Sequence, residues 1–286
     1  MGAVRLREQP LMDLREDKAN EAEERGDLNS ALQLWRELAG ERDDPLLLSR
    51  YGRVAQKMER WDEAESAFAK ALRLDSNFLV AMEAMGDLWA TRTDRSDTES
   101  FGVAKDWFLK ALRRERNSRT LTLLGATYRA LGESVAARDA FAEAVELNPN
   151  YEEALYNLAL AEKEGDPQGA VGLLERAIDI DPCYFVAHQE LGKLYQKMGD
   201  LQRAEYHFRR SLEISQNEFW SLLYLANALA VQGKDVEAEK KYRLATTLHP
   251  ERKDGAKFFA RFLESIGKKP AAITTPSPEK SPDGES

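Results

Sequence analysis

The chain has 286 residues, a net charge of −9, 32% charged and 9% aromatic residues, and a single cysteine. So acidic a chain lacks the basic face of a general nucleic-acid binder. One thiol, Cys183, closes no internal disulfide, which makes the cytoplasm the expected location. No apolar run suits a signal peptide or a membrane span, and Leu6 stands where a myristoylation motif wants Ser or Thr.

Seven alanines set a rhythm along the chain: Ala31, Ala64, Ala104, Ala137, Ala170, Ala204 and Ala238, at intervals of 33, 40, 33, 33, 34 and 34 residues. Four residues after each comes a larger side chain: Trp35, Phe68, Phe108, Phe141, Leu174, Phe208 and Tyr242. Twelve residues before most of them stands Ala19, Gly52, Gly125, Gly192 or Ala226, with Gly86 and Ala159 displaced by length changes. This period predicts stacked two-helix units rather than one globular core. Glycine inside a helix costs about 1 kcal/mol relative to alanine, so Gly52, Gly86, Gly125 and Gly192 need a packing reason. The expectation is that each faces the small marker alanine of the following helix, the large residue filling the space toward the next unit.

The first helix, roughly 13–25, is crowded with Asp13, Glu16, Asp17, Glu21, Glu23 and Glu24. It reads as a terminal cap with one face in water. Gly26-Asp27, Gly132-Glu133, Gly165-Asp166 and Gly199-Asp200 separate paired helices, glycine for a left-handed turn and the acid to cap the next helix. The third unit carries about six extra residues within 91–102, read as a surface insertion in which Ser96 and Glu99 fit a capping box. Pro149, Pro182 and Pro250 end second helices. An additional helix over 252–266 covers the last unit with Phe258, Phe259 and Phe262. Beyond Gly267 the chain is expected to be disordered, with Thr275, Ser277 and Ser281 each followed by proline. No strand-like alternation appears, so the chain reads as all-α.

The fourth unit carries Leu124-Gly125-Ala126-Thr127-Tyr128, then Ala137, Phe141, Ala144 and Pro149. This resembles the tetratricopeptide repeat, and Leu191, Gly192, Tyr195, Ala204 and Phe208 repeat the match. The resemblance implies a right-handed superhelical α–α solenoid of about seven repeats: 12–44, 45–78, 79–117, 118–151, 152–184, 185–218 and 219–252. A lead at 1–11, a capping helix at 253–267 and a tail at 268–286 complete the expected layout.

It also implies that first helices line a concave groove. Carried over position by position, the expected partner-binding residues are Arg50, Arg53, Glu83, Asp87, Arg119, Thr122, Arg129, Tyr156, Asn157, Lys163, Lys193, Trp220 and Asn227. Two features emerge: a cationic series through the middle and an aromatic patch toward the C-terminal end, suited to a peptide with acidic residues. The lysine–asparagine clamp of chaperone-binding relatives and the asparagine ladder of sugar-transferase arms are both absent.

Nothing in the sequence calls for catalysis, a cofactor or a metal. His188, His207 and His249 lack a second ligand at metal spacing, and Cys183 reads as a small half-buried side chain. Residues 165–172 lack the Lys-Ser/Thr of a phosphate loop. The expectation is a non-catalytic adaptor or scaffold that binds protein, not nucleic acid or membrane. The alternatives are a self-associating assembly factor and a targeting subunit for a separate modifying enzyme.

Overall fold

The computed structural model describes residues 14–268, which form fifteen α-helices and no strand. The expectations for the N-terminal lead, the tail and its Ser/Thr-Pro sites lie outside the described residues, except for Lys268. The helices group into two compact units divided after Pro149.

The first unit contains α1 (Leu14–Glu24), α2 (Leu28–Glu41), α3 (Pro45–Lys57), α4 (Trp61–Leu74), α5 (Leu79–Thr91), α6 (Asp97–Arg114), α7 (Ser118–Ala130) and α8 (Ser134–Leu147). They pack as hairpins α1·α2, α3·α4, α5·α6 and α7·α8. Each second helix also meets the next first helix, and α5 touches both α3 and α7. The second unit contains α9 (Glu152–Glu162), α10 (Pro167–Ile180), α11 (Phe185–Lys197), α12 (Leu201–Ile214), α13 (Phe219–Val231), α14 (Asp235–Leu248) and α15 (Lys253–Ser265). Its hairpins stack in the same way, and α15 covers α13 and α14. Each unit is thus built as a solenoid, layer on layer.

The marker alanines are buried, and Trp35, Phe68, Phe108, Phe141 and Phe208 are wholly inaccessible. The glycines serve these rings rather than the alanines. A Cβ at Gly52, Gly86, Gly125 or Gly192 would lie 2.5–2.6 Å from the nearest ring carbon of Phe68, Phe108, Phe141 or Phe208 respectively. The expected glycine–alanine contact is therefore replaced by a glycine–phenylalanine contact within each hairpin. The edge of the ring lies where a methyl group would stand, so the missing Cβ admits the ring.

The turns follow local chemistry. Gly26, Gly132, Gly199 and Gly233 have φ between 72° and 83°, which glycine adopts without Cβ strain. Glu59 occupies the equivalent place between α3 and α4 with φ 58°. Asp27, Asp166 and Asp200 accept hydrogen bonds from backbone N–H groups three residues ahead, as N-caps do. Gly165 lacks the expected positive φ, and Glu133 makes no side-chain cap.

Two further expectations change. Ser96 precedes α6 but makes no side-chain cap bond, so the capping box does not form. The extra residues are shared between the 92–96 connection and α6, which has 18 residues where α2, α4 and α8 have 14. Arg92 anchors this connection: its inaccessible side chain bonds Asp62 at 2.9 Å, Glu65 at 2.9 Å and Asp94 at 2.6 Å, and lies over Trp89. These carboxylates hold its guanidinium firmly protonated, the Asp94 bond contributing most. On α15, Phe259 and Phe262 pack against Tyr242, whereas Phe258 is 40% exposed and Leu263 completes the buried face.

Candidate functional site

In the first unit, α3, α5 and α7 line a groove of about 410 Å³ that gathers Arg53, Glu83, Asp87 and Arg119. Its floor is stitched across helices. The Gln56 side-chain amide donates to Asp87 Oδ2 and Thr91 Oγ1, both at 3.0 Å, and the Thr91 hydroxyl donates to the Asp87 carbonyl at 2.8 Å. Glu83 is buried and accepts from the Thr120 hydroxyl, from Asn117 Nδ2 at 3.3 Å and from Arg119 Nη1 at 3.4 Å. Glu83 therefore positions α7 and Arg119 rather than offering its carboxylate outward.

Three expected residues do not line this groove. Arg50 donates to Asn20 Oδ1 at 3.0 Å and lies over Trp35; Arg129 lies over the Phe141 ring; Thr122 is buried and donates to the Ser118 carbonyl. The groove is also not a bare cationic stripe. Arg53, Lys57 and Arg119 share its lining with Glu59, Glu83 and Asp87, and Lys57 pairs with Glu23 at 3.1 Å. Arg53 is exposed and has no partner among the described residues.

The second unit assembles a different surface from α9, α11 and α13. Lys163 and Lys193 both pair with the buried Glu190, Lys163 at 3.1 Å. Lys193 lies over Tyr224, which stacks on Trp220 with ring centroids 5.9 Å apart. Arg252 reaches over Phe219 and Trp220. Tyr156 meets Tyr184 edge to face at 5.4 Å, and burial raises the pKa of Tyr184. Asn157 is buried and donates to the Glu153 carbonyl, while Asn227 lies half-buried on α13. Sequence reasoning missed Glu190, Tyr184 and Arg252. Only the three-residue spacing of Glu190 and Lys193 was legible as a helical pair.

His188 and His207 face one another with their Nδ1 atoms 3.0 Å apart, so one ring donates and the other accepts. His207 also stacks on Tyr195. Cys183 is exposed rather than half-buried. No cluster of three or more metal-ligating side chains occurs among the described residues, and none of their helices is long and apolar enough to cross a membrane.

Family models described as tetratricopeptide repeat match residues 122–182 and 161–223. The chain is a tetratricopeptide-repeat protein. Among curated proteins, response regulator aspartate phosphatase A of Bacillus subtilis is 36% identical over 91 residues, or 30% of this chain and 20% of the relative. Among solved structures, a chain of the APC/C hetero-tetramer Cut9-Hcn1 aligns with TM-score 0.70 and 16% identity, over 89% of this chain and 49% of that one. The pilF protein of Pseudomonas aeruginosa aligns with TM-score 0.66 and 18% identity, over 77% and 97%. The tetratricopeptide-repeat protein described here thus spans a fifth of the curated relative and half of the Cut9-Hcn1 chain. At these identities the structural likenesses establish the fold alone. Tetratricopeptide repeats generally serve as protein–protein interaction scaffolds, and such proteins are typically non-catalytic.

Proposed function

We propose that this protein is a non-catalytic adaptor holding a peptide segment of another protein in the groove of its first unit. The observation that carries the reading is Arg53, exposed and without a partner, beside a floor whose other polar groups are already bonded to one another. A fixed floor loses little conformational entropy when a ligand arrives. Arg53 would take a carboxylate of the segment, and Arg119, held to Glu83 only at 3.4 Å, would turn toward a second acceptor. The exposed thiol of Cys183 suits the reducing cytoplasm.

The test is affinity capture from native extract, followed by mapping of the captured protein's segment on synthetic peptides. Arg53→Glu combined with Arg119→Glu should weaken binding of that segment by roughly tenfold or more, since two attractive charges become repulsive. The circular-dichroism spectrum should not change. Undiminished binding by a folded double variant would reject the groove.

A further inference from the structure

A second surface in the first unit lies away from the groove and shares no residue with it. Leu72, Ser76, Met82, Trp107, Lys110 and Arg113 enclose a depression of about 400 Å³ formed by α4, α5, α6 and the α4–α5 connection. That volume falls within the range of ligand pockets, roughly 300–1,000 Å³. Its interior is apolar: Met82 is buried, and Leu72 and Trp107 are partly buried against the core.

The rim carries charge of one sign only. Lys110 and Arg113 are exposed, one turn apart on α6, and neither has a carboxylate partner among the described residues. Asp106, one turn before Lys110 on the same helix, makes no ion pair with it. Lys110 Nζ instead rests 4.0 Å from the centre of the Trp107 ring. Of the neighbouring cations, Lys105 pairs with Glu133, Arg116 with Glu143 and Arg92 with three acids, whereas the exposed Arg73 and Arg114 make no ion pair. The adjacent depression over α6, α7 and α8, about 510 Å³, shares Arg113 but includes Asp139 and Glu143 in its lining. The Trp107 depression alone of the two thus combines an apolar interior with uncompensated positive charge.

We infer that this depression docks an acidic peptide segment of a partner, seating an aromatic or aliphatic side chain against Trp107 and Met82 while flanking carboxylates meet Lys110 and Arg113. Charge complementarity supports that occupant: the chain has nine more acidic than basic side chains, yet this rim has only basic ones. It differs from the groove reading in place and in how much of the charge is already countered. In the groove most cations already have a carboxylate beside them, whereas here the carboxylates must come from outside.

The test uses the full chain and a fluorescein-labelled peptide, Asp-Glu-Phe-Asp-Leu-Glu, followed by anisotropy at low and physiological salt. Two control peptides replace its acids by amides, or its Phe and Leu by Ser. The acidic peptide should bind, lose affinity as salt rises, and exceed either control. Lys110→Glu with Arg113→Glu should weaken it by roughly tenfold, whereas Arg53→Glu should leave it unchanged. Both substituted side chains are exposed, and circular dichroism checks that the variant folds. No binding to the wild type, equal binding of a control peptide, or undiminished binding by the Lys110/Arg113 variant would overturn the inference. Loss of binding on Arg53→Glu would assign the peptide to the groove instead. Self-association of the wild type that the Lys110/Arg113 variant abolishes would assign the surface to a second copy. Loss of captured-partner binding on Arg53→Glu without loss of this probe would separate the two sites.

Discussion

Replacing Gly125 by alanine isolates the glycine–ring contact. The added Cβ would lie 2.6, 2.7 and 2.9 Å from three carbons of the buried Phe141 ring, so the ring or its helix must move. Overpacking of this kind costs about 1–3 kcal/mol, against about 1 kcal/mol gained in helix propensity. The net loss should be about 1 kcal/mol. Gly102→Ala is the matched control, since Gly102 lies within α6 and its Cβ would meet nothing within 4 Å. It should gain about 1 kcal/mol, so the two variants separate by about 2 kcal/mol. Adding Phe141→Leu to Gly125→Ala recreates the Ala159 and Leu174 found in the second unit. The double variant should be more stable than the sum of its parts by about 1 kcal/mol, the signature of two side chains sharing one space. Urea unfolding followed by circular dichroism reads the wild type, the single variants Gly125→Ala, Phe141→Leu and Gly102→Ala, and the double variant. If Gly125→Ala stabilises as Gly102→Ala does, the ring is not confined and the packing argument fails.

Acid should weaken the second unit. Burial, aided by His188 and Arg203, pulls the pKa of His207 from 6.5 down to about 4, and burial and Arg210 lower His188 against the opposing pull of Glu213. Both are full contributors above pH 6.5; as pH falls toward 4 the unfolded chain takes up protons the folded one refuses, and stability drops by up to about 3 kcal/mol for His207. Melting temperature measured from pH 7.5 to 4 should show that loss, and His207→Phe should flatten the slope. Glu59→Gly should raise stability by about 1 kcal/mol, because Glu59 holds φ 58° where four equivalent turns use glycine; an unchanged urea midpoint would argue against strain there. Arg92→Met should lower stability by about 1–3 kcal/mol through lost charged hydrogen bonds and speed amide exchange around 92–96. Unaltered exchange would mean the connection is held by other contacts.

Much of the layering was legible because helix hairpins leave local marks. The Asp27, Asp166 and Asp200 caps and the alanine period all act within one or two turns, or at a fixed offset. The role of Gly125 was misread because periodicity shows that a position is small without naming the neighbour that makes it so. Charge compensation was harder still. Glu83 meets Arg119 and Glu190 meets Lys163 across successive first helices, at separations of 36 and 27 residues that no single-helix rule links. The expected cationic series therefore appeared bare in the sequence, yet Arg119, Lys163 and Lys193 are countered by carboxylates in the folded chain. His188 and His207 meet across a hairpin, 19 residues apart, with no motif to announce them.

The Arg92 anchor has a practical consequence. Its guanidinium is covered by only a thin layer of its own partners, since Asp62 remains 90% exposed, yet it ties the end of α5 to α4 and to Asp94. Residues past Asp94 lie beyond that tether and before the first turn of α6. Foreign sequence grafted between Arg95 and Ser96 would therefore hang outside a closed joint, making this the natural place for a reporter or epitope.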